Sequence, residues 1–170
     1  MSFDANLFFF LNNLAGQSHI FDLLIIFFAR YLGYFLTGIF LILAYRARNR
    51  RSVFLAPLVA ALIARLSITE LIRLFIHRPR PFATYQAHQL LSESTWSFPS
   101  GHAAFFFALA AWFWFYDKKW GSVFFFAAVL MTAARMIAGV HYPSDIAAGM
   151  AIGVAVACAV HYFFTKKSQI

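Results

Sequence analysis

The sequence predicts an all-α integral membrane protein: a helical bundle of about five transmembrane spans, preceded by an N-terminal interfacial helix. Three observations carry that prediction. Of the 170 residues, 62% are apolar and only 12% charged, a balance outside the range of ordinary water-soluble domains. The apolar residues come in runs too long for the core helices of a soluble domain of this size. The formal charge of +8 is concentrated at the ends of those runs, where it sets membrane orientation and meets anionic lipid; no nucleic-acid partner is expected.

Residues 4–15 place Leu7, Phe8, Leu11 and Leu14 at helical spacing, with Asn12 and Asn13 elsewhere, in a run too short to cross a bilayer. Gly16-Gln17-Ser18 breaks it. The first span covers 20–44, interrupted by Asp22 near one end and by Arg30, which is too deep to remain ionised without a partner or water and reads as packed inside the bundle. The first basic residue is Arg30, so no cleaved signal peptide is expected and the first span serves as the anchor.

Arg46, Arg48, Arg50 and Arg51 fill the first connection, and the second span covers 53–77. Within it the three-residue spacing puts Glu70 and Arg73 on one face, with Arg65 further back. The third span, 100–116, is short, about 23 Å from His102 to Tyr116, and is expected to extend by a turn or so. Trp112, Trp114, Tyr116 and Trp120 are expected near one interface. A fourth span covers 120–138 and a fifth 143–164, where Gly149 and Gly153 let a neighbouring helix approach closely. The only cysteine, Cys158, permits neither an internal disulfide nor a cysteine metal cluster. Residues 1–170 read as one membrane-embedded domain.

With five spans the basic clusters at 46–51, 118–119 and 166–167 share one side, which the positive-inside rule makes cytoplasmic, along with the C-terminus. The N-terminal helix, the 78–101 loop and the 139–142 connection then meet outside.

Three polar clusters converge there. Arg73-x6-Arg80-Pro81, with Arg78-Pro79 just before its end, offers forked cations for a phosphate on a turn stiffened by proline. Pro99-Ser100-Gly101-His102 puts a hydroxyl, a glycine backbone N–H and an imidazole at a helix entrance, where anions are favoured. Arg135-x5-His141-x3-Asp145 puts a carboxylate one turn from a histidine, where it holds one ring nitrogen protonated and leaves the other free to attack phosphorus. Taken singly, each has a structural explanation: a headgroup-binding helix end, a helix cap, a packed histidine. Their convergence on one face of the bundle does not.

Together these elements resemble the membrane branch of the type 2 phosphatidic acid phosphatase superfamily. That family's signature is Lys-x6-Arg-Pro, Pro-Ser-Gly-His and Ser-Arg-x5-His-x3-Asp. Here it stands as Arg73 to Pro81, Pro99 to His102 and Ala134-Arg135 to Asp145, with Arg73 and Ala134 departing from the family's lysine and serine. The resemblance implies that His141 is the nucleophile, forming a phosphohistidine, and that Asp145 orients it. It implies that His102 protonates the leaving group and then activates water, and that Arg73, Arg80, Ser100, the Gly101 backbone N–H and Arg135 hold the phosphoryl oxygens. It implies neither metal nor cofactor. His88 and Glu93 read as solvated loop residues outside the catalytic set.

The interfacial helix, the arrangement of spans and the Arg-Pro-Arg-Pro-Phe run of 78–82 resemble bacterial undecaprenyl-diphosphate phosphatases in particular. That resemblance implies conversion of undecaprenyl diphosphate to undecaprenyl phosphate at the outer face of the bacterial inner membrane, serving cell-wall synthesis. Phosphatidic acid and phosphatidylglycerophosphate are alternative substrates, since the motifs read the phosphate and not the tail. A small anion transporter or channel lined by Arg30, Arg65, Glu70 and Arg135 is the non-enzyme alternative, and it leaves His141, Asp145 and the Pro-Ser-Gly-His run without a role.

Overall fold

The computed structural model describes residues 2–46 and 51–167, in which every regular element is a helix. Four helices are long and apolar enough to cross a membrane, with apolar sections His19–Arg46, Leu55–Phe75, Lys118–Ile137 and Pro143–Phe164, and a shorter apolar helix, Gly101–Tyr116, lies among them.

Helix α1 (Phe3–Asn12) starts at Ser2, whose hydroxyl accepts from the Ala5 N–H at 3.3 Å. This expected interfacial helix docks one face on the end of the bundle. Phe8 is fully buried, whereas Leu7 and Leu14 are exposed. Asn12, expected on the polar side, is buried and saturated: its amide donates to the carbonyls of His88 and Ile137, each at 2.8 Å, and its oxygen accepts from the His88 N–H at 2.9 Å. A buried amide needs such partners, and only the packed end of the bundle supplies them.

Helix α2 (His19–Arg46) is continuous but widens to a π-helical turn at Phe27–Tyr31, which carries Arg30. Helix α3 runs from Arg51 to Leu62, through a second π-helical stretch at Ile63–Ile68 that carries Arg65, and on from Thr69 to Phe75. The Thr69 hydroxyl donates to the Ala64 carbonyl, five residues back, at 2.8 Å. Helix α3 stops before its predicted end at 77, because the residue preceding a proline disfavours helix and the Arg78-Pro79-Arg80-Pro81 turn follows. Pro81 opens the one-turn helix α4 (Pro81–Thr84) from the position that suits proline.

Helix α5 (Gly101–Tyr116) does not gain the extra turns expected of it. Ser100 caps one end, and at the other Asp117 is extended and accepts from the N–H groups of Lys119 and Trp120, starting α6 (Lys118–Ile137) at once. The helix is short because it is central: Ala103, Ala104 and every residue from Phe106 to Phe113 are buried, the pattern of a helix apolar all round. Trp112, expected near an interface, is among them, packed against Tyr116, His161 and Phe164.

Helix α7 (Pro143–Lys167) lies along α5 at the close approach expected of its glycines. A Cβ on Gly149 would run into the Ser100 carbonyl and Ala103, and one on Gly153 into the Ala104 carbonyl. Helix α2 packs along α6, whereas α3 packs on α5 and α7, so the first two spans diverge and leave a cleft between them.

At one end of the bundle α1, the 76–100 loop and the turn before α7 are joined, as the number of spans requires. Leu90 donates to the Ala138 carbonyl (3.1 Å), Ser97 to Arg78 (2.9 Å) and Ser100 to Asp145 (3.0 Å). Gly139 takes a left-handed turn (φ +84°) against the His88 carbonyl, where no side chain fits. Arg46, Lys118 and Lys119 lie at the other end; Arg48 and Arg50 of that predicted cluster lie outside the described residues.

Candidate active site

His141 is enclosed at the mouth of α7, 1% exposed, with its ring between an acid and a base. Nδ1 lies 3.4 Å from Asp145 Oδ2, and Nε2 lies 3.4 Å from Nη1 of Arg80. Asp145 is itself fixed on both oxygens. Oδ2 also accepts from the Ser97 hydroxyl (2.5 Å) and the Tyr142 N–H (2.8 Å), and Oδ1 accepts from Arg78 Nη1 (2.8 Å). Arg78 stacks on the Tyr142 ring at 3.8 Å and reaches Asp4 of α1 at 2.5 Å, while Asp4 accepts from the backbone and hydroxyl of Ser144. Burial works against the Asp4 charge, but the hydrogen bonds from Arg78 and Ser144 outweigh it and hold the carboxyl below the usual range.

Burial pushes the His141 imidazole down to about 4, with the charges of Arg135 and Arg80 acting the same way and the Asp145 hydrogen bond opposing. At neutral pH it is therefore uncharged. With Nδ1–H directed to Asp145, Nε2 keeps its lone pair.

Arg80 is buried and anchored by three backbone carbonyls: Nε donates to Thr95 at 2.7 Å, Nη1 to Val140 at 2.8 Å and Nη2 to Trp96 at 3.4 Å. Burial pulls its guanidinium down to about 10, with Glu93 opposing, so it remains a cation at neutral pH.

A cavity of about 450 Å³ opens beside these residues, lined by His102 and Gly101 of α5, Arg135 of α6, Glu93 of the loop, Arg30 of α2 and Arg65 of α3. Arg135 donates through Nη1 to the Ala29 carbonyl (3.1 Å) and through Nη2 to Glu93 (2.5 Å), while its buried Nε has no partner among the described residues. Glu93 also lies 3.9 Å from Arg80. Burial would raise the Glu93 carboxyl, but Arg135 and Arg80 hold it below its usual range. Two arginines gripping a carboxylate have the charge and geometry to grip a phosphate. Among the described residues no three His, Cys, Asp or Glu side chains converge as a metal-ligand set.

The eight residues singled out from the sequence are divided between these surroundings. His102, Gly101 and Arg135 line the cavity, and His141, Asp145 and Arg80 form the enclosed set beside it. Ser100 is fully buried, its hydroxyl accepting from the Ala103 N–H at 3.4 Å. Arg73 lies apart from the cavity: Nη1 donates to Glu70 and Nη2 to the Pro99 carbonyl, both at 3.0 Å, and it lines a separate groove with His77 and Trp96. Arg65 takes the place beside Gly101, where any Cβ would overlap its guanidinium. Glu93, expected to be solvated, is a half-buried partner of Arg135. Arg78, Asp4 and Ser97 complete the support of Asp145; of these, Asp4 belongs to no pattern in the sequence.

Residues 54–169 match the PAP2 superfamily. The chain is 30% identical over 164 residues to the bacitracin transport permease protein BcrC of Bacillus licheniformis, covering 95% of this chain and 80% of that protein. It is 33% identical over 100 residues to the lipid A 1-phosphatase of Rhizobium johnstonii, 51% of this chain and 38% of that one. Among solved structures, Aquifex aeolicus LpxE is similar with a TM-score of 0.79 at 26% identity, over 95% of this chain and 96% of that one. The first transmembrane PAP2 type phosphatidylglycerolphosphate phosphatase from Bacillus subtilis shares the fold with a TM-score of 0.76 at 21% identity, over 95% and 86%.

Proposed function

The chain belongs to the PAP2 superfamily, and on that premise we propose that it is a metal-independent lipid phosphatase working through a phosphohistidine. The observation that carries this reading is the His141 ring, uncharged at neutral pH and set between Asp145 and Arg80.

Nε2 of His141 attacks phosphorus while Asp145 retains the proton on Nδ1 and stabilises the cation that develops on the ring. The bond from phosphorus to the leaving oxygen breaks, and His102 delivers a proton to that oxygen. His102 then removes a proton from water, which displaces the phosphoryl group from Nε2 and regenerates the imidazole. Arg80, Arg135 and the backbone around Ser100 and Gly101 hold the phosphoryl oxygens, so their charge is already in place when the transition state forms. Arg73 supports the Pro99 carbonyl and hence the entrance of α5, acting as a positioning residue.

The substrate is a membrane lipid whose headgroup enters between α2 and α3 while its tail stays in the bilayer. Undecaprenyl diphosphate, converted to undecaprenyl phosphate, is the substrate we assign. Similarity to the bacterial undecaprenyl-diphosphate phosphatases at the interfacial helix and the Arg-Pro-Arg-Pro-Phe run supports it; phosphatidic acid and phosphatidylglycerophosphate are the competing substrates. The basic clusters orient the active end outward from a bacterial inner membrane, with the C-terminus cytoplasmic. One relative is named a transport permease, which favours a transporter as the second reading; that reading gives His141 and Asp145 no task.

Purified protein in detergent is expected to release inorganic phosphate from these lipids in the presence of a chelator. His141→Ala is expected to lose this release by about 10³-fold or more. Full activity in the variant would overturn the mechanism, and transport of an anion by liposomes with no phosphate release would favour the second reading.

A further inference from the structure

Two arginines of the cavity have no part in the mechanism above. Arg30 and Arg65 come from different spans, yet both line the cavity that holds His102 and Arg135. Both also sit on π-helical turns, the two stretches Phe27–Tyr31 and Ile63–Ile68. Such turns are rare overall and frequent at functional sites. Here each places an arginine on the same cavity. A cationic side chain within a membrane span is costly unless it has a partner. Arg65 has Glu70; Arg30 has no ion-pair partner among the described residues and lies 5.8 Å from the Tyr31 ring. The lining thus holds three guanidiniums, Arg30, Arg65 and Arg135, against the single carboxylate of Glu93, which Arg135 already grips. One reacting phosphoryl group at Arg135 leaves Arg30 without a counter-charge among the described residues and Arg65 with only Glu70, which Arg73 shares.

We propose that Arg30 and Arg65 form a second phosphate subsite, which holds the retained phosphate of a lipid diphosphate while the terminal phosphoryl group lies at Arg135 and His141. This deepens the phosphatase reading and rests on it. In the first step the His141 Nε2–phosphorus bond forms and the bond from the terminal phosphorus to the bridging oxygen breaks. The electron pair stays on that oxygen, which His102 protonates as it becomes part of a lipid monophosphate, and Arg30 and Arg65 hold the negative charge of the retained phosphate as the bond breaks. Water then bonds to the phosphorus on His141, the phosphorus–nitrogen bond breaks, and the departing proton goes to His102; one water is consumed for each phosphate released. Diphosphates are thereby selected over monophosphates with the same tail.

The test compares kcat/KM of the full chain in detergent on farnesyl diphosphate and farnesyl phosphate. The wild type is expected to prefer the diphosphate, and the ratio is expected to fall about tenfold or more in R30Q/R65Q, with R30K/R65K restoring much of it. R30Q alone, changed at an exposed side chain, serves if the double variant does not fold; its inhibition by a farnesyl methylenediphosphonate is expected to weaken more than its inhibition by a farnesyl phosphonate. Equal losses on both substrates, or an unchanged ratio, would overturn the subsite. A wild type that prefers the monophosphate would overturn it while leaving the phosphatase intact. Release of phosphate from no lipid, or activity surviving in H141A, would instead overturn the parent reading and this inference with it.

Discussion

The two sides of the polar end are held together in opposite ways. Around His141 each group is tied to a further one: Asp145 accepts from Ser97, Tyr142 and Arg78, and Arg78 leans on Asp4, which binds Ser144. Around the cavity the ties are few. Arg135 has an unpartnered Nε, Glu93 holds it only from a loop, and Arg30 has no ion pair among the described residues. An attacking group must be aimed before substrate arrives, which calls for fixed supports. A surface that admits an anion and then releases it must leave hydrogen bonds unmade until the anion comes. The contrast separates what orients the proposed nucleophile from what is proposed to receive the charge, and variants on each side are expected to fail differently.

The largest effect is expected on the closed side. Asp145→Asn retains the size of the side chain but no longer fixes the His141 tautomer, so kcat is expected to fall about 10³-fold to 10⁴-fold with the protein still folded. A loss in KM alone would show that Asp145 serves binding and that the closed side is not an aiming device.

Arg78→Ala tests how far that rigidity extends. Turnover is expected to fall about 10-fold to 100-fold as Asp145 loses its Oδ1 support. The pH profile separates aim from charge. In the wild type the proposed nucleophile is uncharged above about pH 4, so the acid limb is expected to rise with pH through that value, while loss of the proton that His102 must donate sets the fall at higher pH. Removing the Arg78 cation makes protonation of His141 easier, so the acid limb is expected to move upward. An acid limb near the ordinary histidine value of about 6.5 in the wild type would contradict the enclosed, depressed imidazole.

The smallest effect is expected on the open side. Glu93→Gln removes the carboxylate that competes for Arg135, so inorganic phosphate is expected to inhibit about threefold to fivefold more strongly. Weaker inhibition would mean that Glu93 helps to build the anion site and does not merely occupy it.

The sequence carried the fold nearly to its boundaries, because long apolar runs and flanking charges are dictated by the bilayer. It placed Asp145 one turn from His141, since helical spacing alone does that. What it lacked were partners fixed only by tertiary packing. Glu93 is a single acid in a polar loop, and its arginine lies 42 positions away. The π-helical turns carry no recognisable pattern, so Arg30 and Arg65 read only as charges within spans that could line an anion path, not as neighbours of His102. Arg73 shares a face with Glu70 as spacing requires, but whether that face meets the cavity or the groove behind it depends on how α3 packs against α5. The amphipathic pattern of α1 marks an interfacial helix but not its docking partners, the His88 and Ile137 carbonyls that bind buried Asn12.

The reach of Asp4 bears on biosynthesis. Its partners Arg78 and Ser144 follow it by 74 and 140 positions, so this contact of α1 must wait until the chain has been made as far as Ser144. Until α7 has emerged, the proposed nucleophile His141 lacks its carboxylate Asp145, although α1 can already reach His88 and Ile137 through Asn12. A ribosome-bound intermediate without α7 therefore lacks the proposed carboxylate partner of His141, and the Asp4 contact forms only when α7 brings Ser144 to it.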